Sequence, residues 1–177
     1  MTPGRRPTRR TIALLALFLA LGLGLGWDGS PLAALVVRQA VALKYSDLRQ
    51  VSPEELAIWM ADPNRPPPLL VDARPGAQYF QSHIRGAVPL DPAAPDLGAL
   101  TSVPRETPIV VYDGPGVGSA ALAQALAAAG YTRVSNLEGG LFRWVNEGHP
   151  IEGRYGPATK VHPVSWTWGR LLKRRYR

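Results

Sequence analysis

Residues 109–130 leave few choices of fold. Their sequence, IVVYDGPGVGSAALAQALAAAG, places an apolar run, a glycine-rich loop and an alanine-rich stretch one after another. The apolar run is typical of a buried strand, and Gly130 is a suitable residue to end the helix that follows. A strand, a tight loop and a helix in this order often present a nucleophile or bind an anion. Residues 113–119 are therefore the first candidate site, with Asp113 at the end of the strand.

Short apolar segments alternate with helical segments along most of the chain. Strands are predicted for LLVDA at 69–73, AVPL at 87–90 and RVSNL at 133–137. A helix is predicted to begin after Ser52, which can act as the N-cap, and Glu55 three residues later completes a capping box. This alternation predicts an α/β fold built on a parallel sheet.

The net charge of +7 is concentrated at the two ends of the chain. Four arginines lie within residues 1–10, and five lysines and arginines lie within residues 170–177. Residues 11–168 carry eleven basic and thirteen acidic residues, so they form a mildly acidic body. A body without excess positive charge argues against nucleic-acid binding. The chain contains no cysteine, which excludes disulfides, thiolate metal sites and a cysteine nucleophile.

Residues 11–27, TIALLALFLALGLGLGW, are uncharged and follow the four arginines. A helix of this length spans about 26 Å, close to the roughly 30 Å of a bilayer's hydrocarbon core. We expect a single-pass membrane anchor with residues 1–10 in the cytoplasm and the rest of the chain on the outer side. Two alternatives stay open. One is a signal peptide cleaved near Gly24 or Gly26, which would release a secreted protein, and the other is a buried apolar helix of a cytosolic protein.

Two segments of the chain resemble the rhodanese-like domain family. In LLVDARPGAQYFQSHIRGAVPL a strand ends in Asp72, Arg74 follows, and His83 lies in a Ser-His-Ile-x-Gly-Ala segment. YTRVSNLEGGLFRWVNEGHPIE is similar to the family's closing segment. The resemblance implies a small α/β fold with a mainly parallel five-stranded sheet flanked by helices, here preceded by one transmembrane helix. The matching signature residues are Asp72, Arg74, His83, Gly86, Gly139, Gly140 and Trp144.

With this resemblance the chain divides into five segments. They are a basic cytoplasmic N-terminus at 1–10, an anchor or signal segment at 11–27, a linker and leading helix at 28–50, a rhodanese-like domain at 51–153, and a basic, aromatic C-terminal tail at 154–177. The leading helix is expected to pack on the domain or lie at the membrane surface. The tail is expected to be solvated by default. Binding to an anionic lipid surface is an alternative, because Trp166 and Trp168 stand beside its positive charges.

The signature residues also have structural interpretations, which we favour. Asp72 and Arg74 are expected to pair with each other or to cap the backbone, and His83 to be a hydrogen-bonded structural residue. The Gly139–Gly140 pair permits a tight turn into the last helix, and Trp144 is expected in the core.

No metal or other cofactor is expected. His149 and His162 lie far from His83 in the sequence and show no metal-ligand spacing.

The candidate loop departs from the family's active pattern. Active members read approximately Cys-Arg-x-Gly-x-Arg-Ser/Thr, and the cysteine thiolate accepts a sulfane sulfur while the arginines attract an anionic donor. The corresponding residues here are Asp113, Gly114, Pro115, Gly116, Val117, Gly118 and Ser119. A carboxylate cannot hold a persulfide, and it repels an anionic donor by about 1 kcal/mol at ~4 Å in water and about 4 kcal/mol at an effective dielectric of 20. We therefore expect no catalytic residue here and no sulfur transfer.

We expect Asp113 to occupy the anion-binding loop itself. Its carboxylate would accept hydrogen bonds from the amides of residues 116–119, and this would lower its pKa. A role for Asp113 as a phosphate-accepting nucleophile is a weaker alternative, because it would need Mg²⁺ and further carboxylates nearby.

The leading functional hypothesis is a membrane-anchored, catalytically inactive rhodanese-like domain that binds an unidentified protein as a scaffolding or regulatory module. Two alternatives stay open. One is a sulfurtransferase-like or other anion-transfer enzyme with an unusual nucleophile. The other is a sensor for a small anion or a peptide, which would use the space that Gly114 and Gly118 leave where arginines would stand.

Overall fold

A five-stranded sheet forms the centre of the molecule in a computed structural model that describes residues 31–92 and 97–177. Its strands are β1 (Arg49–Val51), β2 (Leu69–Asp72), β3 (Val88–Pro89), β4 (Ile109–Tyr112) and β5 (Val134–Leu137). They lie in the order β1-β5-β4-β2-β3, and every neighbouring pair is parallel. The predicted α/β fold with a mainly parallel five-stranded sheet is confirmed.

Helices flank the sheet. They are α1 (Pro31–Lys44), α2 (Pro53–Ala61), α3 (Gly76–Gln81), α4 (Gly118–Ala128), α5 (Gly140–Asn146) and α6 (Trp166–Gly169), with 3₁₀ helices at Leu97–Leu100 and Arg174–Tyr176. The predicted cap of α2 is present, since the Ser52 side chain accepts a hydrogen bond from the Glu55 amide at 3.1 Å.

Strand β4 lies between two apolar layers and is buried along its whole length. Val110 and Tyr112 belong to the layer that contains residues of α1, α2 and α5. Ile109 and Val111 belong to the opposite layer, which contains residues of α4. Because side chains alternate across a strand, this continuous apolar run serves both faces of the sheet.

The carboxyl ends of β2 and β4 meet at one edge of the sheet. Asp72 and Tyr112 are partners in the parallel register, and the Ala73 amide donates to the Tyr112 carbonyl at 2.7 Å. The residues that follow these strands are thereby brought together, at the edge where α/β folds usually carry their sites.

Helix α1 packs on the domain, which was one of the two expectations for the leading helix. Ala33, Val37 and Val41 are buried along one side of it. Arg38 reaches the carboxylate of Glu138 at 2.8 Å. Strand β1, which follows α1, was not predicted, because a three-residue segment with one apolar side chain carries no periodicity.

The C-terminal segment is folded onto the domain. Strands β6 (Ile151–Gly153) and β7 (Gly156–Ala158) form an antiparallel hairpin. Beyond it, Leu171 and Leu172 are buried in the core, and the Asn146 side chain donates to the Leu171 carbonyl at 2.7 Å. The expectation of a solvated tail is therefore wrong for these residues, because the two leucines bury apolar surface while Lys173, Arg174 and Arg175 stay exposed.

No helix within residues 31–92 and 97–177 is long and apolar enough to cross a membrane. The expected anchor at 11–27 and the basic segment at 1–10 lie outside the described residues.

Candidate functional site

Asp113 begins the loop that joins β4 to α4. Its carboxylate accepts hydrogen bonds from the loop's own amides: the Gly116 N–H donates to Oδ1, and the Gly118 N–H donates to Oδ2 at 2.8 Å. The Ser119 hydroxyl lies 3.4 Å from Oδ1. The carboxylate thus takes up N–H donors that could otherwise face an external anion. The predicted contact between Asp113 and amides of residues 116–119 is confirmed.

The pKa of Asp113 is raised above its ordinary value. Burial is the largest cause, and hydrogen bonds from the amides of Gly118, Gly116 and Ser119 oppose it without cancelling it. The predicted lowering of the pKa is therefore wrong, because withdrawal from water disfavours the charged form more than the amides favour it.

The Gly139–Gly140 pair lets α5 approach the loop closely. A Cβ on Gly140 would lie 2.5 Å from the Gly114 carbonyl oxygen and 2.6 Å from that of Asp113, and the φ of Gly140 is +56°. In α5 the Leu141 amide donates to the Asp113 carbonyl at 2.9 Å, and the Phe142 amide donates to the Gly114 carbonyl at 3.0 Å. Gly140 is needed because no side chain fits where the two backbones meet, whereas a Cβ on Gly139 would lie 2.7 Å from Arg143 Cβ.

Gly114 is covered by the C-terminal segment. A Cβ at this position would lie 2.8 Å from Val164 Cγ2 and 3.1 Å from Phe142 Cζ. Val164 has a φ of +65°, an uncommon and strained conformation for a β-branched residue. The space that we expected an absent arginine to leave at Gly114 is therefore filled by apolar side chains.

Gly118, at the second arginine position, faces the aspartate. A Cβ on Gly118 would lie 2.9 Å from the Asp113 carboxylate. The expectation of open space is wrong here too, since the carboxylate lies where a side chain would begin.

A buried polar chain, which the sequence analysis missed, continues from the loop into the sheet. The Ser119 hydroxyl donates to Asn136 Oδ1 at 2.7 Å, and Asn136 Nδ2 donates to Gln50 Oε1 at 2.8 Å and to the Gly116 carbonyl at 3.3 Å. Asn136 lies in β5 and Gln50 in β1. A polar residue within a predicted buried strand was the sequence signal that could have identified Asn136.

Asp72 and Arg74 form a buried pair, as expected. Arg74 Nε lies 2.8 Å from Asp72 Oδ1, and Nη2 lies 2.6 Å from Oδ2. Arg74 Nη2 also donates to the Ser82 carbonyl. Burial, with the Asp72 charge as a second cause, raises the pKa of the Tyr112 hydroxyl well above its ordinary value. The pair joins the end of β2 to the segment before His83, and its two charges neutralise each other within the fold.

His83 makes structural contacts, which supports the interpretation favoured from the sequence. Its ring stacks on Tyr79 with centroids 4.0 Å apart, and Nδ1 lies 2.9 Å from the Tyr79 carbonyl oxygen. Its Nε2 lies 3.6 Å from a carboxylate oxygen of Glu152, and the backbones of these two residues pair. Both the ring and the backbone of His83 therefore have contact partners within the fold.

The remaining signature residues have local roles. Trp144 is buried in the core as predicted, and its indole N–H donates to the Pro150 carbonyl at 2.8 Å. Gly86 adopts a φ of +77°, which a turn residue with a side chain would rarely adopt. Among the residues that the structure describes, no group of three or more His, Cys, Asp or Glu is placed to hold a metal ion.

Residues 52–147 match the rhodanese-like domain, a span of more than half of the chain. The chain belongs to the rhodanese-like family. The matched span covers the Asp72–Arg74 pair, the loop at Asp113 and the glycine pair before α5. It ends before the C-terminal segment that covers Gly114.

Curated relatives and solved structures agree with this assignment. A sulfurtransferase of Allochromatium vinosum is 34% identical over 83 residues, which is 47% of this chain and 77% of that protein. The thiosulfate sulfurtransferase GlpE of Actinobacillus pleuropneumoniae is 37% identical over 87 residues, 49% of this chain and 79% of that protein. The rhodanese-like domain of an Anabaena protein, solved in solution, superposes with a TM-score of 0.53 at 27% identity, over 59% of this chain and 78% of that one.

Proposed function

We propose that this chain is a rhodanese-like module that binds a partner protein at a membrane and does not itself carry sulfur. The observation that most directly supports the absence of sulfur transfer is the Asp113 carboxylate bound to the amides of Gly116 and Gly118. In a sulfur-accepting loop those amides would face a persulfide or an anionic donor. Here the acceptor is an oxygen anion that cannot form a sulfur–sulfur bond.

The cover over Gly114 supports the same proposal. Val164 and Phe142 lie where an arginine at that position would have to begin. An anionic donor would therefore meet a carboxylate and apolar side chains in place of cations.

The second candidate is a sulfurtransferase-like activity, and the relatives favour it over a purely scaffolding role. Two of them are named as sulfurtransferases, at 34% and 37% identity. Such an activity would need a nucleophile other than cysteine, because the 177 residues contain none. Asp113 is the residue at the corresponding place.

Sulfur transfer from thiosulfate to cyanide by the full chain separates the two candidates. We expect wild-type protein and Asp113→Ala to show the same background rate. Turnover by the wild type that disappears in Asp113→Ala would overturn the proposal and establish the second candidate. Asp113→Asn is the matched control, because it keeps the shape of the side chain and removes the charge.

The sensor alternative is tested by titration with thiosulfate and sulfate. Because Asp113 already takes up the loop amides, we expect no binding heat from the wild type. Asp113→Ala frees two N–H donors and removes the negative charge, so a weak anion site should appear in the variant alone. Anion binding by the wild type would favour the sensor.

The membrane placement is part of the proposal. It is supported by the uncharged sequence of residues 11–27 behind four arginines. Since the chain lacks cysteine, a single cysteine introduced at Ser46 can be tested with a membrane-impermeant thiol reagent on intact cells. Labelling at Ser46 is expected, with a cysteine at Thr8 as the protected control. The opposite pattern would contradict the outward orientation, and recovery of unanchored protein would favour signal cleavage.

A further inference from the structure

The outer side of α1 carries an exposed apolar stripe. Leu32, Leu35 and Leu43 are 61%, 41% and 46% exposed, and Gln39 lies between them on the same side of the helix. At 3.6 residues per turn these positions fall on the side opposite Val37, which is buried in the core. The helix therefore packs on the domain with one side and presents leucines to the outside with the other.

The basic C-terminal segment lies beside the first turn of α1. Pro31 and Ala34 of the helix line one cavity of about 210 Å³ together with Leu171 and Lys173. Lys173, Arg174 and Arg175 are exposed, and the Lys173 ammonium donates to the Asn146 carbonyl at 2.6 Å.

The two segments that form this surface contain no acidic residue, and Glu147 at the end of α5 is the acidic residue that lines the cavity between them. Helix α1 has Arg38 and Lys44 as its only charges. After Glu152 the chain has seven lysines and arginines and no aspartate or glutamate up to Arg177. An apolar stripe flanked by cations suits the interface of an anionic bilayer, where the leucines enter the headgroup region and the cations meet lipid phosphates.

The position of α1 in the chain also favours a membrane. Trp27 ends the apolar segment 11–27, and only three residues separate it from Pro31. Four extended steps reach about 14 Å at most. If residues 11–27 cross the bilayer, α1 must begin next to its surface.

We propose that the stripe Leu32–Leu35–Leu43 and the basic residues 173–175 dock on an anionic membrane surface and hold the domain against the bilayer in a fixed orientation. This inference rests on the proposed membrane placement. It adds to that placement a defined contact face and a preference for anionic lipid.

The test uses the full chain with a single cysteine at Gln39, labelled with an environment-sensitive fluorophore. The matched control is a cysteine at Ile58, which is 65% exposed on α2. Each protein is reconstituted into vesicles of phosphatidylcholine alone, or of equal parts phosphatidylcholine and phosphatidylglycerol. Sedimentation with the vesicles reports membrane attachment, and quenching by lipids spin-labelled near the headgroup reports docking.

Quenching at position 39 in the anionic vesicles, with little in phosphatidylcholine and little at position 58, is the expected result. Arg174→Gln with Arg175→Gln should lower the docking equilibrium constant on the order of 30-fold, at about a factor of five per cation. Arg105→Gln with Arg133→Gln is the control, because it removes the same charge at two exposed positions outside α1 and the C-terminal segment.

Several outcomes would overturn the inference or the membrane anchor on which it rests. A protein that sediments with vesicles while the probe at 39 stays unquenched is anchored but not docked, so the membrane placement would survive and the contact face would not. A probe at 39 that becomes shielded with rising protein concentration, without vesicles, would assign the stripe to a second copy of the chain. Failure to sediment with either vesicle would remove both proposals. A protein that is quenched at position 39 and then dissociates from the vesicles in about 1 M salt, where the Debye length is about 3 Å, is docked but not anchored. The docking face would then be retained, and the anchor at residues 11–27 would be rejected.

Discussion

A carboxylate and a thiolate need different surroundings, and the Asp113 loop provides the hydrogen-bond donors that a carboxylate needs. Oxygen accepts short hydrogen bonds in fixed directions, and both carboxylate oxygens of Asp113 receive one from a loop amide. Gly118 is suited to this arrangement, because a Cβ there would lie 2.9 Å from Oδ2. The loop is thereby closed around a residue of the chain itself.

The raised pKa of Asp113 gives a testable dependence of stability on pH. Because its pKa in the folded protein lies above the ordinary value of 3.8, the folded state binds more protons than the unfolded state between those two values. Stability from this group is therefore gained as the pH falls through the folded pKa and lost as the pH rises through it. Urea unfolding at a series of pH values should show that the free energy of unfolding of the wild type rises relative to that of Asp113→Asn as the pH falls.

Glu106→Gln is the control for this measurement, since Glu106 is exposed. It should track the wild type across the series. A wild type that instead loses stability relative to Asp113→Asn on acidification would mean that the amides outweigh burial.

At the scale of elements, the C-terminal segment is part of the fold. It contributes two buried leucines and the Val164 contact over the loop. Asn146 in α5 fixes it from two sides, by donating to the Leu171 carbonyl and by accepting from the Lys173 amide at 2.9 Å. The segment lies outside the matched family span and still completes the core.

Leu172→Ala measures the contribution of this segment. Leu172 is fully buried, so the variant should lose about 2–5 kcal/mol of unfolding free energy in urea. Leu43→Ala removes a leucine that is 46% exposed and should change stability by no more than about 0.5 kcal/mol. Equal effects at the two positions would show that the segment does not pack as described.

A double-mutant cycle at Gly114 and Val164 tests the cover over the loop. Gly114→Ala places a Cβ 2.8 Å from Val164 Cγ2 and should cost about 1–3 kcal/mol. In a Val164→Gly background the nearer contact is gone, the Phe142 contact at 3.1 Å stays, and the strained φ of residue 164 is relieved, so the same change should cost less. Additive costs in the cycle would mean that the two residues do not touch.

At the scale of the whole molecule, much of the sheet and the position of the loop could be predicted from the sequence, because strands β2 and β4 are locally apolar and the loop has a distinctive composition. The tail could not be placed in the same way. Its leucines are surrounded by cations in the sequence, and their burial depends on contacts with α1 and α5, which are far away along the chain. The direction of the Asp113 pKa shift was predicted wrongly. The N–H donors of a loop can be counted from its sequence, whereas the burial of Asp113 depends on how the loop packs in the folded domain.

Rebuilding the family's loop tests the molecule as a unit. Asp113→Cys, Gly114→Arg and Gly118→Arg together should be poorly stable, because the arginine at 114 meets Val164 and Phe142. Adding Val164→Gly should recover about 1–3 kcal/mol of stability and allow the new thiol to take up cyanide-labile sulfur from thiosulfate. The same variant with serine at 113 is the control. A three-site variant that is as stable and as reactive as the four-site variant would show that the cover has no effect.

The contact of Val164 with the space above Gly114 also limits which substitutions the loop can accept one at a time. A lone arginine at 114 meets the valine, a lone arginine at 118 meets the carboxylate, and a lone cysteine at 113 acquires no cation to draw in a donor. Each single step toward the family's Cys-Arg-x-Gly-x-Arg loop is therefore penalised or without benefit until the others are in place. The contacts around Gly114 and Gly118 therefore favour the present loop over single substitutions toward the family's pattern.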